Sequence, residues 1–183
     1  IVEVTDSGEA DGRVFLAMEL LAGENLAQRL KSRGTLSLQE TADVMIPVCD
    51  AVATAHRAGV VHRDLKPDNL FLAQGRRGVV PKVLDFGVAK LLDATREEGD
   101  APGTVSGALF GTPAYTAPEL LRAGSRGATP DSDQFSLGVI LYECLTGERP
   151  FPGEGIAVVA PIIEGKYAPL RERVREEELS GAA

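Results

Sequence analysis

The eight residues His62-Arg63-Asp64-Leu65-Lys66-Pro67-Asp68-Asn69, with Asp85-Phe86-Gly87 after them, constrain this chain more than any other feature. They set a carboxylate, an ammonium and a side-chain amide close together, and a second carboxylate 21 positions after the first (85 − 64). A strand and its turn span such an interval, so the two carboxylates can face one cleft. Moving a phosphoryl group onto a hydroxyl asks for this set: a carboxylate to orient the hydroxyl and take its proton, a cation beside the phosphate, and oxygen ligands for Mg²⁺. Asp64 suits the first task, Lys66 the second, and Asn69 with Asp85 the third. A second constellation lies downstream, Gly111-Thr112-Pro113-Ala114-Tyr115-Thr116-Ala117-Pro118-Glu119. A structural turn would account for Gly111 and Pro113 but poorly for the whole nonapeptide.

Both motifs resemble those of the eukaryotic-type protein kinase family, and Lys66-Pro67 after Asp64 resembles its serine/threonine branch. The resemblance covers nearly the whole chain. It implies an α+β, protein-kinase-like fold, mainly a helical large lobe with the last two strands of the small lobe. Residues 1–22 would be the end of the small lobe and the hinge, and residues 23–183 the large lobe. The implied reaction is transfer of the ATP γ-phosphoryl group to Ser or Thr hydroxyls of a protein substrate, with Asp64 as catalytic base. Lys66 would neutralise the phosphate, Asn69 and Asp85 would hold Mg²⁺, and Thr112 would bond Asp64 and Lys66. Met18 falls at the gatekeeper position. The Glu19 carbonyl and the Leu21 amide are the implied adenine partners, Asn25 sits where a ribose-binding residue often stands, and Phe71 would floor the adenine. For Asn25 a helix cap, and for Phe71 a core residue, serve as readings without a ligand. Asp133 is implied to accept hydrogen bonds from the backbone near His62 and Arg63. Arg63 and Lys90 are the implied cations for a phosphate on Thr104 or Ser106.

The sequence departs from the family in what it lacks. No Gly-x-Gly-x-x-Gly and no Val-Ala-x-Lys strand precede the hinge, and no helix offers a Glu to pair with that Lys. Ile1 stands in the middle of an apparent strand, so the chain is expected to be a fragment that also lacks the last large-lobe helices. Phosphoryl transfer rests on positioning and electrostatics, so these residues alone are expected to have little activity. Two alternatives remain. One is a truncated or pseudokinase-like binding module. The other is a small-molecule phosphotransferase, a class that generally lacks the 111–119 segment.

Composition narrows the partners. A net charge of −8 argues against nucleic acid. Cys49 and Cys144 both lie in apolar helical patterns and are expected to be buried and reduced, which suits a cytoplasmic protein. The longest apolar stretch, near 135–145, is too short to span a bilayer. The Gly-, Ala- and Arg-rich style points to a bacterial member.

The remaining elements come from local rules. Residues 1–5 and 13–20 read as strands around an Asp11-Gly12 turn. Asn25 with Gln28 opens a short helix that Gly34 closes, and Ser37-Leu38-Gln39-Glu40 is a capping box for a helix reaching about Arg57. Its buried face is expected at Met45, Val48 or Cys49, Val52 and Ala55, with a kink at Pro47. His56 reads as a helix-end cation or an interface residue. Residues 70–72 and 82–84 read as a hairpin about Gly-Arg-Arg-Gly, and residues 95–108 as a mobile polar loop. Asp131-Ser132-Asp133 is expected to cap a helix that runs to about Thr146 and, apolar nearly all round, is buried. The charge run 171–178 is expected to be a solvated helix face.

Overall fold

The computed structural model describes residues 1–11, 13–76, 78–86 and 113–174. Strands β1 (Val4–Ala10) and β2 (Arg13–Met18) pair antiparallel from Val4 opposite Met18 to Ala10 opposite Arg13. This corrects the expected first strand at 1–5. The ladder runs up to the tight turn, so polar Asp6, Ser7 and Glu9 join the strand, and Ile1–Glu3 precede it. Asp11 turns at φ 53°, a left-handed conformation that Asp tolerates better than most residues.

A second sheet has the order β3 (Gly23–Asn25), β4 (Leu70–Gly75), β5 (Gly78–Val83), all antiparallel. The β4–β5 hairpin stands where the sequence places it, but its strands run on to Gly75 and from Gly78, and Leu84 lies past the end of β5; β3 is too short to show a pattern. Gly23 is required there. At φ 146°, a Cβ would stand 2.2 Å from the Leu72 carbonyl oxygen, so only glycine lets this strand close against β4.

Helix α1 (Leu26–Arg33) opens with Asn25 and Gln28 in a reciprocal capping box and closes at Gly34, φ 82°. Helix α2 (Leu38–Arg57) opens with the Ser37–Glu40 box and continues through Pro47, which lies on its exposed side. Its inward face is Val44, Met45, Val48, Val52 and Ala55. Cys49 is exposed, a correction to the expected burial: one turn of helix carries Val48 inward and leaves its neighbour facing out. Helix α3 is Pro118–Ala123, α4 is Pro130–Thr146 and α5 is Val159–Glu164.

The cap of α4 also differs from expectation. Thr129 is its N-cap and forms the capping box with Ser132, because Pro130 suits the first helical position and moves the start upstream. Asp133 is thereby released from capping. Nor is α4 buried all round. Asp131, Gln134, Gly138 and Leu141 form a stripe at three- and four-residue spacing that faces outward, along an apolar groove of about 480 Å³.

The main core joins Leu26 and Leu30 of α1, Val48 and Val52 of α2, Leu70 and Leu72 of β4, Val83 of β5, and Ile140 and Cys144 of α4. Leu26, Leu70 and Ile140 are fully buried, at about 1.5–3 kcal/mol of hydrophobic stabilisation each. A smaller cluster, Ala114, Val139, Phe151, Val158 and Ile162, joins α4 to α5. Of the charge run, residues 171–174 are not a helix face: Leu170–Glu172 is a 3-10 turn, and Val174 is buried. Among the described residues, no helix is long and apolar enough to cross a membrane.

Candidate active site

The loop between α2 and β4 rests on the main core through Leu65, which is 1% exposed and anchors the polar residues around it. Arg63 has φ 74°, a left-handed conformation that costs a non-glycine residue about 1–3 kcal/mol unless its surroundings enforce it. Asp133, in the first turns of α4, supplies that enforcement. Its Oδ2 accepts from the His62 amide at 2.8 Å and its Oδ1 from the Arg63 amide at 2.9 Å. Oδ2 also accepts from His56 Nε2 at 2.7 Å, so the end of α2, the start of α4 and the loop meet at one buried carboxylate.

His62 ties this loop to the segment after β5. Its Nε2 donates to the Leu84 carbonyl at 2.8 Å, which leaves Nδ1 to accept from the Asp64 amide at 3.3 Å. The two contacts select one tautomer, because a carbonyl can only accept. Phe86 packs edge-on to the His62 ring with centroids 4.7 Å apart. The Leu84 amide donates to the Asn69 carbonyl at 2.9 Å. Asp85 is therefore bracketed on both sides by groups fastened to the loop; it is exposed, at φ 59°.

Asp64, Lys66 and Asn69 converge. Lys66 Nζ lies 2.7 Å from Asp64 Oδ2, and Asn69 Nδ2 lies 3.3 Å from the same oxygen. Asn69 Nδ2 also donates to the Asp64 carbonyl at 2.8 Å. Oδ2 is thus held by two donors, while the carboxylate as a whole is exposed. Pro67 at the first position of a 3-10 turn (Pro67–Asn69) folds the chain back so that Asn69 meets Asp64.

The donor chemistry fits Mg²⁺. The Asn69 amide nitrogen is engaged by Asp64, which leaves the amide oxygen as the atom that would face a cation, and Asp85 would add an exposed carboxylate. Mg²⁺ keeps several waters and takes one or two carboxylates instead of a closed protein cage. Among the described residues, no group of three or more His, Cys, Asp or Glu is placed to enclose a metal.

The linker after β2 is tied to β5 through Lys82, to β4 through Gln74, and to Glu3. Met18 is 43% exposed, and Glu19 donates from its amide to the Glu3 carbonyl at 3.0 Å. The Glu19 carboxylate accepts from Lys82 Nζ at 2.7 Å and from the Glu3 amide at 2.8 Å, and these donors hold its pKa below the usual carboxylate range. Leu21 is half-buried, and the Ala22 carbonyl accepts from the Gln74 amide at 2.8 Å. Asn25 uses its Oδ1 to cap α1, bonding the Gln28 amide at 2.8 Å. Phe71 is half-buried, with Asn25 opposite on one strand and Lys82 on the other.

Thr112, Gly111, Lys90, Thr104 and Ser106 lie outside the described residues, as does the 95–108 loop. The segment from Pro113 to Glu119 is well anchored. The Tyr115 hydroxyl donates to Glu143 Oε2 at 2.6 Å, and burial raises the pKa of both groups. Ser136 Oγ donates to the Tyr115 carbonyl at 2.7 Å, and Ser132 Oγ to Glu119 Oε1 at 2.5 Å. Sequence reasoning missed the Tyr115–Glu143, Lys82–Glu19 and His56–Asp133 pairs. No local signal marks the first two. His56 is the interface residue that its place at the helix end suggests, but nothing local names Asp133 as its partner.

The profile of the protein kinase domain family matches residues 1–176. The chain is 45% identical to serine/threonine-protein kinase Pkn1 of Myxococcus xanthus over 160 residues, which is 86% of this chain and 22% of that protein. It is 44% identical to serine/threonine-protein kinase PknA of Mycobacterium tuberculosis over 165 residues, 87% of this chain and 36% of that protein. It is 40% identical to PknL of the same species over 160 residues, 87% of this chain and 37% of that protein. The chain thus spans between about a fifth and two fifths of the length of these relatives. The anchored Asp64 loop and these alignments agree: the chain belongs to the protein kinase domain family, within its bacterial, eukaryotic-type serine/threonine group.

Proposed function

We propose that this chain carries the phosphoryl-transfer site of a serine/threonine protein kinase, moving the γ-phosphoryl group of ATP to Ser or Thr hydroxyls of a protein substrate. The observation that carries this reading is the convergence of Lys66 Nζ and Asn69 Nδ2 on one oxygen of Asp64. In this reading the other oxygen orients the acceptor hydroxyl and takes its proton. Lys66 sits beside the transferring phosphate, and Thr112 aligns Asp64 with the acceptor. Asn69 and Asp85 would hold Mg²⁺, which when bound offsets charge on the phosphates. Nucleotide would lie along Met18, Glu19, Leu21 and Asn25, above Phe71, with residues 1–22 as the end of the small lobe and 23–183 as the large lobe. No glycine-rich loop or Val-Ala-x-Lys strand occurs in the sequence to clamp the phosphates. Turnover by these residues is therefore expected well below the roughly 1–100 s⁻¹ of kinases.

The test is transfer of labelled γ-phosphate to a Ser- and Thr-rich protein such as casein under single-turnover conditions. Asp64→Asn should lower the rate by about 10²–10⁴-fold, the usual worth of a positioned acid–base group, and leave Mg²⁺–ATP binding within about twofold. Transfer that survives in Asp64→Asn, or label that passes to a small aminoalcohol and not to protein, would refute the reading.

A further inference from the structure

We propose that Lys82 is a positioning residue: through Glu19 it latches the linker between β2 and β3 to the second sheet and so fixes the backbone against which a nucleotide base would lie. The latch depends on the functional reading above for its ligand, and on separate contacts for its own existence.

Three segments meet at the latch. Glu19 Oε1 takes Lys82 Nζ at 2.7 Å and the Glu3 amide at 2.8 Å, while the Glu19 amide donates back to the Glu3 carbonyl at 3.0 Å. The Val2 amide donates to the Val83 carbonyl at 3.0 Å, next in sequence to Lys82, and Val2 is buried. Residues 2–3 are thus stitched to β5 on one side and to Glu19 on the other. The Lys82 and Glu19 side chains are 25% and 28% exposed, so water competes less for this pair than for a surface pair.

Past the latch the linker has far less to hold it. Leu20 is fully exposed, and the backbone is next tied down where the Gln74 amide donates to the Ala22 carbonyl. Glu19 therefore controls the orientation of Leu20 and Leu21. Lys82 also stands opposite Phe71 in the β4–β5 register. The strand pair that carries the floor of the proposed base site thus also carries the cation that holds the linker. A linker held in its binding geometry binds without an ordering penalty; a loosened one binds in proportion to the fraction of time spent in that geometry.

The experiment compares wild type with Lys82→Met, Glu19→Gln, Lys82→Arg and the reversed pair Lys82→Glu/Glu19→Lys. Amide hydrogen exchange at Glu3 and Glu19 reads the latch without any nucleotide. Calorimetry reads the affinity for adenosine and for Mg²⁺–ATP. Lys82→Met and Glu19→Gln should speed exchange at both amides and weaken adenosine and ATP about equally, by roughly tenfold. Lys82→Arg should keep wild-type values, and the reversed pair, which restores the ion pair but leaves the Glu3 amide without its acceptor, should recover adenosine affinity only in part and leave Glu3 exchange fast. The adenosine arm separates positioning from charge, because a lysine acting on phosphates would lower ATP affinity and leave adenosine untouched; that pattern overturns the proposal. So does unchanged exchange, or tighter adenosine binding in Lys82→Met. Faster exchange in a protein whose wild type binds no adenosine would refute the functional reading and the positioning role together, and would leave the latch a purely structural pair.

Discussion

Replacing Asp133 by Ala should remove the anchor that holds the loop carrying Asp64 and lower the stability of the folded chain. The carboxylate is 1% exposed and accepts from two backbone amides, those of His62 and Arg63, and from His56. Ala supplies no acceptor. A buried donor left unpaired costs about 1–3 kcal/mol, and the His62 amide is in the buried class, whereas the Arg63 amide, partly buried, can recruit water and falls at the low end. Relaxation of Arg63 from φ 74° returns part of the strain the carboxylate was enforcing. The net loss is about 2–4 kcal/mol. For a chain of this length about 3 kcal/mol corresponds to a fall in Tm of about 6–12 °C. Urea unfolding followed by circular dichroism should show the midpoint moving with m unchanged, and Gln134→Ala on the exposed stripe of the same helix should stay within about 0.5 kcal/mol. A loss below about 1 kcal/mol for Asp133→Ala would mean that the loop holds its shape without this anchor, and the account of how Asp64 is placed would be wrong.

Ser37→Ala removes one half of the α2 capping box and should cost about 1 kcal/mol in the same unfolding assay; no measurable change would show that the ion pair between Arg33 and Glu40 suffices to hold the helix start. The two thiols should part company under a thiol reagent at mildly alkaline pH. Cys49 is exposed, with a pKa raised by partial burial and by Asp50, and should react in the folded protein. Cys144 is buried, its pKa pushed up to about 12, and should react only on unfolding; fast labelling of both would contradict the packing of α4.

Sequence alone determined the features that local chemistry controls. Asn25 with Gln28 and Ser37 with Glu40 announce helix starts because a side chain and an amide three residues apart satisfy each other without help from the rest of the fold. The β4–β5 hairpin comes from apolar runs flanking a glycine-bearing turn, and the proximity of Asp64, Lys66 and Asn69 from their spacing on one short loop. Tertiary structure decided what depends on residues far apart in the chain. Asp133 reads locally as a helix cap, yet 70 residues upstream two amides claim its oxygens, and Thr129 takes over the cap. Glu19 reads as one charged linker residue until β5 brings Lys82 to it across 63 positions. Cys49 and Val48 are equally apolar candidates for the core, and only the packing of α2 chooses between them. The physical reason is the same in each case. A hydrogen-bond acceptor, a cation or an inward face has no preferred partner until the fold removes water and leaves one within reach.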